Sequence, residues 1–330
     1  MDDAPILINE EALTEAFVPT RLLHREGQVR ELERCLSPAL KNRSIENIFL
    51  IGTSGTGKTT VVKWILESYF KELSAYVNCW KYRTPHEVLT EILLSFQVPV
   101  HGRESTGELT KALEKSAQKT KRIVCLDEVD RLKDFDLLYV LARSGCGLIL
   151  ISTRCHVLAT LTNRIRSSLA LTEIEFLSYK AEELYDIIRD RAEYAFRPGV
   201  LKNDLMRIAS VAAQGDARKA IEIVRKAAKK AEIRYLNEVT IKELKESIAE
   251  SNKLRMIYPI DKLNEHQKAI YEILEKNRRM PSGALYGEYR ALTRAPVVDR
   301  AYRNYMQKMV NLGLIKAEGK GRWKSYEIVS

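Results

Sequence analysis

Short apolar runs recur through the first half of the chain: Ile48–Ile51, Ala75–Val77, Ile123–Leu126, Leu148–Ile151 and Leu169–Phe176. Between them, apolar residues fall at three-and-four spacing, the period of a helix with one buried face. Buried strands alternating with helices predict βαβ units and a parallel sheet, an α/β fold. Ahead of Asn47 nothing reads as strand; Val29–Leu40 reads as a short helix entered through Pro19-Thr20-Arg21-Leu22-Leu23-His24-Arg25-Glu26. After Leu177 the period turns wholly helical, over Ala181–Phe196, Asn203–Gln214, Ala217–Arg234 and Ile241–Lys253. Arg197-Pro198-Gly199 and Gln214-Gly215-Asp216 punctuate these helices as turns, with Asp216 a candidate N-cap.

Met256-Ile257-Tyr258-Pro259 then reads as a linker, because the residue before a proline disfavours helix. The remainder predicts a helix over Glu265–Lys276, a turn at Pro281-Ser282, a helix near Ala284–Ala291 and a third over Val297–Asn311, stopped by Gly313. Leu314–Ala317 and Ser325–Val329 flank a basic, glycine-containing tip and predict a hairpin. Three helices and such a wing make a winged helix. The expected division is a nucleotide-binding base over 1–177, an all-α domain over 178–255 and a winged helix over 259–330.

Composition narrows the class. The chain has 330 residues, 45% of them hydrophobic, which excludes wholesale disorder. No apolar run approaches the ~20 residues of a membrane span. The opening Met1-Asp2-Asp3-Ala4-Pro5 lacks the regions of a signal peptide. The five cysteines are never spaced Cys-x-x-Cys, which argues against a disulfide framework or zinc ribbon. A reduced, cytoplasmic protein with no membrane partner is expected. The net charge is +10, and Pro259–Ser330 carries fourteen basic against eight acidic residues. That surplus is compatible with an acidic partner such as nucleic acid, and equally with a solvated surface.

Gly52-Thr53-Ser54-Gly55-Thr56-Gly57-Lys58-Thr59 matches G-x-x-x-x-G-K-[ST] in full, and it follows a predicted strand and opens a helix, Thr60–Phe70. The glycines let backbone N–H groups converge on phosphate oxygens at the positive end of that helix. Lys58 would reach the β- and γ-phosphates, and Thr59 would give its hydroxyl to Mg²⁺. Ile123-Val124-Cys125-Leu126-Asp127-Glu128 ends a buried strand in two carboxylates, at the edge where open α/β sheets bind ligands. Asp127 would hold Mg²⁺ through water, and Glu128 would orient the attacking water. Alone, the two acids could be solvated caps of a strand end; beside Lys58 and Thr59 they read as an ATP site.

With these motifs in place, the chain resembles the archaeal origin-recognition/initiator family, relatives of the first origin recognition complex subunit and of the cell-division-cycle-six loader. These are AAA+ ATPases with a helical lid and a C-terminal winged helix. The resemblance runs from about Phe17 to the end and rests on Pro19–Glu26, Gly52–Thr59, Leu126–Leu132, Arg164–Leu169 and Gly215–Ala220 in that order. It implies that Pro19 and Arg25-Glu26 lie near the adenine, and that the loop from Gly52 through Thr60 holds the phosphates. Thr153 stands where the family usually has the sensor-one asparagine, a departure that bears on the rate of hydrolysis rather than on nucleotide binding. Arg164 matches the arginine finger, acting on a neighbouring protomer. Arg218, in Gly215-Asp216-Ala217-Arg218-Lys219-Ala220, matches sensor two and would report the γ-phosphate to the lid.

In a winged helix the third helix enters the major groove while the wing reaches backbone or minor groove. Arg300, Arg303, Asn304, Gln307 and Lys308 share one face, with Val298, Ala301, Tyr305, Met309 and Leu312 expected inward and Tyr302 at the boundary. The loop and wing add Arg294, Lys320, Arg322, Trp323 and Lys324. The stretch between Asn78 and Ile123 is far longer than a minimal crossover. The resemblance implies an initiator-type insertion at about 79–110 that touches DNA, with Arg83, His101 and Arg103 as candidate contacts; its helix could equally be packing. The implied function is a weak ATPase that switches with ATP or ADP and Mg²⁺. It would bind double-stranded origin DNA beside other initiator protomers or paralogues, and help load a replicative helicase of the minichromosome-maintenance type. The alternative is a nucleotide-gated regulator or repressor at origins with little hydrolysis. A clamp loader would not need the winged helix.

Overall fold

The computed structural model describes residues 5–154, 157–261, 263–293, 295–312, 314–319 and 324–328. Five strands, β1 (Asn47–Ile51), β2 (Ser74–Asn78), β3 (Ile123–Asp127), β4 (Gly147–Ser152) and β5 (Leu171–Glu175), form a sheet of order β2-β3-β4-β1-β5. All its pairings are parallel. Every residue of β3 and β4 is buried, which is why they read as unbroken apolar runs: a parallel sheet covered on both faces has no solvent side to demand alternation. On one face Phe49, Val77, Leu126 and Leu150 meet Leu89, Ile92, Leu113 and Leu138 from the helices Pro85–Ser95, Thr106–Lys119 and Asp136–Arg143. On the other, Ile48, Leu50, Cys125 and Ile149 meet Leu32, Leu36, Val61 and Ile65 from Glu26–Leu36 and Lys58–Tyr69. Strand order reverses around β1, so the C-terminal ends of β1, β3 and β4 open onto one crevice.

The long crossover from β2 to β3 is two helices, each opened by a capping box, Thr84 with Glu87 and Ser105 with Glu108. Both bury apolar stripes in the first core, so packing accounts for them and leaves the loop between them outermost. The helices Ala181–Ala195, Asn203–Ala213 and Ala217–Ile233 complete a compact unit reaching to residue 245. Asp216 caps the last of them, accepting from the Lys219 amide at 3.0 Å. The unit's N-terminal segment is tied to these helices: the buried Arg191 guanidinium donates to the Ala12 and Phe17 carbonyls, and the Ile8 amide donates to the Ala195 carbonyl.

The boundary between the two units, at 245/246, falls within one helix, Ile241–Asp261. That helix runs through Met256–Pro259, where a linker was expected. Pro259 lies two residues before its end.

The second unit holds the helices Glu265–Asn277, Ser282–Leu292 and Asp299–Asn311 with β6 (Arg279–Pro281), β7 (Ile315–Glu318) and β8 (Ser325–Ile328). The strands form an antiparallel sheet of order β6-β8-β7, and the whole is a winged helix. Two sequence expectations fail here. Arg279–Pro281 is a strand rather than the approach to a turn; exposed Arg279 and Pro281 flank a half-buried Met280, and three residues are too few for alternation to mark a strand. Of the row expected inward on Asp299–Asn311, Met309 is buried and Tyr305 and Leu312 pack against the core, but Tyr302 and Met306 are the other fully buried residues, and Val298 is 72% exposed. Val298 precedes the first helical turn, so the periodicity began one position too early. No helix among the described residues is long and apolar enough to cross a membrane.

Candidate nucleotide-binding site

The loop leaving β1 turns through left-handed backbone at Gly55 (φ 72°) and Gly57 (φ 90°), the latter capping the helix Lys58–Tyr69. Side chains are excluded there by more than φ: a Cβ would stand 1.8 Å from Asp216 Oδ1 at Gly55 and 2.6 Å from Tyr179 Oη at Gly57. Thr56 is buried and its hydroxyl donates to the Thr53 carbonyl at 2.9 Å, bracing the loop. Thr53 and Ser54 are exposed at its crest. The buried Lys58 ammonium donates to the Gly52 and Thr53 carbonyls at 2.7 and 2.8 Å. Burial lowers its pKa, against the upward pull of Asp127 and Glu128.

Across the crevice, Asp127 ends β3. Its Oδ2 accepts from Thr59 Oγ1 at 2.7 Å and from Tyr76 Oη at 2.6 Å, while Oδ1 accepts from the Glu128 amide at 2.9 Å. Thr59 and Asp127 are thus together, as the motifs predict; Thr60 follows on the same helix. Glu128 has left-handed backbone (φ 56°). Its carboxyl is raised above the ordinary value by partial burial first and then by the charges of Asp127 and Asp130. Asp130 is itself buried, accepts from Ser152 Oγ at 2.9 Å and lies 3.6 Å from both Arg131 and Arg154.

The turn before the helix Ala217–Ile233 closes directly on the loop, the Ala217 amide donating to the Gly55 carbonyl at 3.0 Å. Arg218 lies over the loop's crest, its Nη1 3.4 Å from Ser54 Oγ and its Nε 2.6 Å from Glu15. Arg25 is buried beneath, donating to the Thr56, His24 and Leu177 carbonyls, with its guanidinium 3.6 Å from the Tyr179 ring centroid. One of these donors braces the loop's backbone at Thr56, and the others tie Arg25 to His24 and Leu177. Tyr76, Tyr179, Glu15 and Asp130 were not singled out from sequence. Only Tyr76 left a signal, a hydroxyl-bearing ring inside the run Ala75–Val77.

A model of the AAA domain matches residues 43–189, and one of the Cdc6 AAA+ ATPase-type lid domain matches 185–249. The ORC1-type DNA replication protein 1 of Sulfurisphaera tokodaii is 32% identical, over 96% of this chain and 88% of its own. That of Archaeoglobus fulgidus is also 32% identical, over 98% and 87%. The chain belongs to the ORC1-type DNA replication protein family. Among solved structures, the Aeropyrum pernix ORC1 protein in complex with DNA superposes with a TM-score of 0.73 at 30% identity, covering 98% of this chain and 94% of that one. The Aeropyrum pernix ORC2 protein, in ADPNP-ADP complexes, shares the fold with a TM-score of 0.76 at 21% identity and the same coverage. This ORC1-type chain is therefore an AAA+ ATPase-type, nucleotide-binding protein with a helical lid and a winged helix.

The remaining expected residues of this ORC1-type protein lie farther out. Thr153 is exposed just beyond β4. Arg164, exposed on the helix Asn163–Leu169, stands over the Tyr139 ring at 4.1 Å. Arg83 is half-buried over Trp80 at 5.0 Å, with Arg131 on the same ring at 4.1 Å, and Arg103 is exposed in the inter-helix loop. Trp80, half exposed between two arginines, is a further surface residue that the motifs did not mark. In the second unit Arg300, Arg303, Asn304, Gln307 and Lys308 are all exposed on one helix. Arg303 pairs with Asp299 at 2.6 Å, and Lys308 reaches Gln267 Oε1 at 3.3 Å. Lys324 is half-buried beside the Tyr326 ring. Arg294, Lys320, Arg322 and Trp323 lie outside the described residues.

Proposed function

We propose that this protein is an ATP-controlled replication initiator that binds origin duplex DNA and helps recruit or load the replicative helicase, of the minichromosome-maintenance type, alongside other initiator protomers or paralogues. The observation that carries the switch is the docking of the Gly215–Ala217 turn on Gly55, which brings Arg218 over the phosphate-binding loop. An arginine there gains or loses a charge-assisted contact with the γ-phosphate, and so biases the lid between ATP and ADP. Thr59 and Asp127 fit a divalent ion: a hydroxyl and a carboxylate, hard oxygen donors, 2.7 Å apart at the mouth of the loop. Mg²⁺ bound there neutralises phosphate charge. Lys58 binds the β- and γ-phosphates, Glu128 orients the water, and Arg164 serves the nucleotide of a neighbouring protomer, so an isolated protomer turns over slowly. The working parts are base, lid and winged helix, and the protein acts in the cytoplasm on the nucleoid.

DNA binding is assigned to the exposed row Arg300, Arg303, Asn304, Gln307 and Lys308, to Arg294, Lys320, Arg322, Trp323 and Lys324, and on the base to Arg83 and Arg103. Arg322→Ala is expected to weaken duplex binding by ~1–2 kcal/mol and to flatten its salt dependence; unchanged binding and slope remove the wing from the interface. A second reading, a nucleotide-gated regulator that scarcely hydrolyses, is favoured by Thr153 in place of the usual asparagine. Single-turnover hydrolysis with and without duplex separates the two: DNA-responsive turnover supports the initiator, and its absence supports the regulator.

A further inference from the structure

We infer that Tyr76 is a positioning residue for divalent-cation binding, holding the Asp127 carboxylate in register with the Thr59 hydroxyl; this rests on reading Thr59 and Asp127 as the cation's ligands. Three observations carry it. First, β2 and β3 pair with Tyr76 beside Cys125 and Asn78 beside Asp127, so Tyr76 and Asp127 share a sheet face, two residues apart along the strand direction. That offset is ~6.6 Å, within the reach of a tyrosine side chain. The hydroxyl does cover it, donating to Asp127 Oδ2 at 2.6 Å. Second, the ring is held from both sides. It packs against the core that contains Ile65 and Cys125, and the Lys63 ammonium lies 4.8 Å from its centroid. Lys63 is one turn along the same helix from Thr59, so the helix that supplies the hydroxyl also fixes the tyrosine. Third, the carboxylate is locked at both ends, Oδ1 by the Glu128 amide and Oδ2 by Tyr76.

A cation held here would take a lone pair of the Thr59 oxygen, whose O–H can still donate to Oδ2; Tyr76 is the second side-chain donor that fixes that carboxylate oxygen. Outer partners of this kind typically change metal affinity 10–100-fold when removed.

The test uses the full chain. ATP binding is titrated at rising MgCl₂ and again in EDTA, for the wild type and Tyr76→Phe, which keeps the ring and its packing. The expected result is a MgCl₂ requirement for half-maximal stimulation raised about 10-fold, with affinity in EDTA and melting temperature held at wild-type values. An unchanged MgCl₂ requirement overturns the proposal. So does parallel loss of EDTA affinity and melting temperature, which marks a structural role only. Should the phenylalanine variant misfold, 3-fluorotyrosine at position 76 replaces it: with ATP bound, its ¹⁹F resonance must move between EDTA and MgCl₂, and a stationary signal rejects the idea. Wild-type ATP binding indifferent to MgCl₂ contradicts the reading of Thr59 and Asp127 themselves, and is thereby distinguished from failure of Tyr76 alone.

Discussion

Glu128 carries the sharpest residue-scale consequence. Partial burial and the neighbouring carboxylates Asp127 and Asp130 raise its pKa above the ordinary carboxylate value. Glu128, proposed to orient the water, must be ionised for turnover, so the acid limb of the pH–rate profile is expected above that of an unperturbed glutamate. Asp130→Asn removes one of the two raising charges and is expected to move the limb to lower pH; a limb that stays in place separates Asp130 from Glu128. Glu128→Gln is expected to keep ATP binding while losing ~10²–10⁴ in turnover. Normal single-turnover hydrolysis in that variant removes Glu128 from its role.

At the scale of elements, two junctions bear weight. At the first, Gly55→Ala sets a Cβ against the Asp216 carboxylate, 1.8 Å from Oδ1, in left-handed backbone. Because Asp216 caps the helix that bears Arg218, the expected outcome is a weakened lid–loop junction and a stability lower by at least ~2 kcal/mol, measured by denaturant unfolding; a neutral result contradicts the docked turn. At the second, the helix Ala217–Ile233 is tied to Ile241–Asp261 by Arg234 pairing with the buried Glu243 at 2.5 Å, and Thr240 donates to the same carboxylate. The Thr240 hydroxyl first, then Arg234, holds the Glu243 pKa down to about 2. A carboxylate with a lowered folded-state value stabilises the fold above its ordinary pKa and gives that up as pH falls toward the folded value. Glu243→Gln is thus expected to melt roughly 2–4 °C lower near neutrality, the gap closing as pH approaches 2. A gap independent of pH contradicts the ion pair.

Elements were legible where local chemistry set them. The glycine-rich turn between β1 and its helix, the acidic end of β3 and the Asp216 cap follow from side chains acting within a few residues of themselves, and as local structure all three are present. What escaped depends on partners distant in the chain. The helix continues through Pro259 against the local preference of the residue before a proline, and β6 is a strand only because β8 lies beside it. Arg25 is buried on carbonyls of Thr56 and Leu177, and Tyr76 and Glu15 reach Asp127 and Arg218 across 51 and 203 positions of sequence. No periodicity or motif spacing carries such pairings.

At the scale of the whole molecule, the proposed interface is the exposed row on Asp299–Asn311, with the net charge of +10 favouring a polyanionic partner. Neutralising Arg300, Arg303 and Lys308 together is expected to reduce the salt slope of duplex binding by about one for each phosphate left without its cationic partner. Sequence-selective origin binding through the winged helix is tested most directly by footprinting on genomic DNA of the source organism with ATP present, comparing the wild type with this Arg300→Ala, Arg303→Ala, Lys308→Ala triple variant. The expected result is a discrete protected site that the variant loses. Protection spread over any DNA, no protection, or a discrete site that the variant keeps would contradict sequence-selective origin binding through the winged helix.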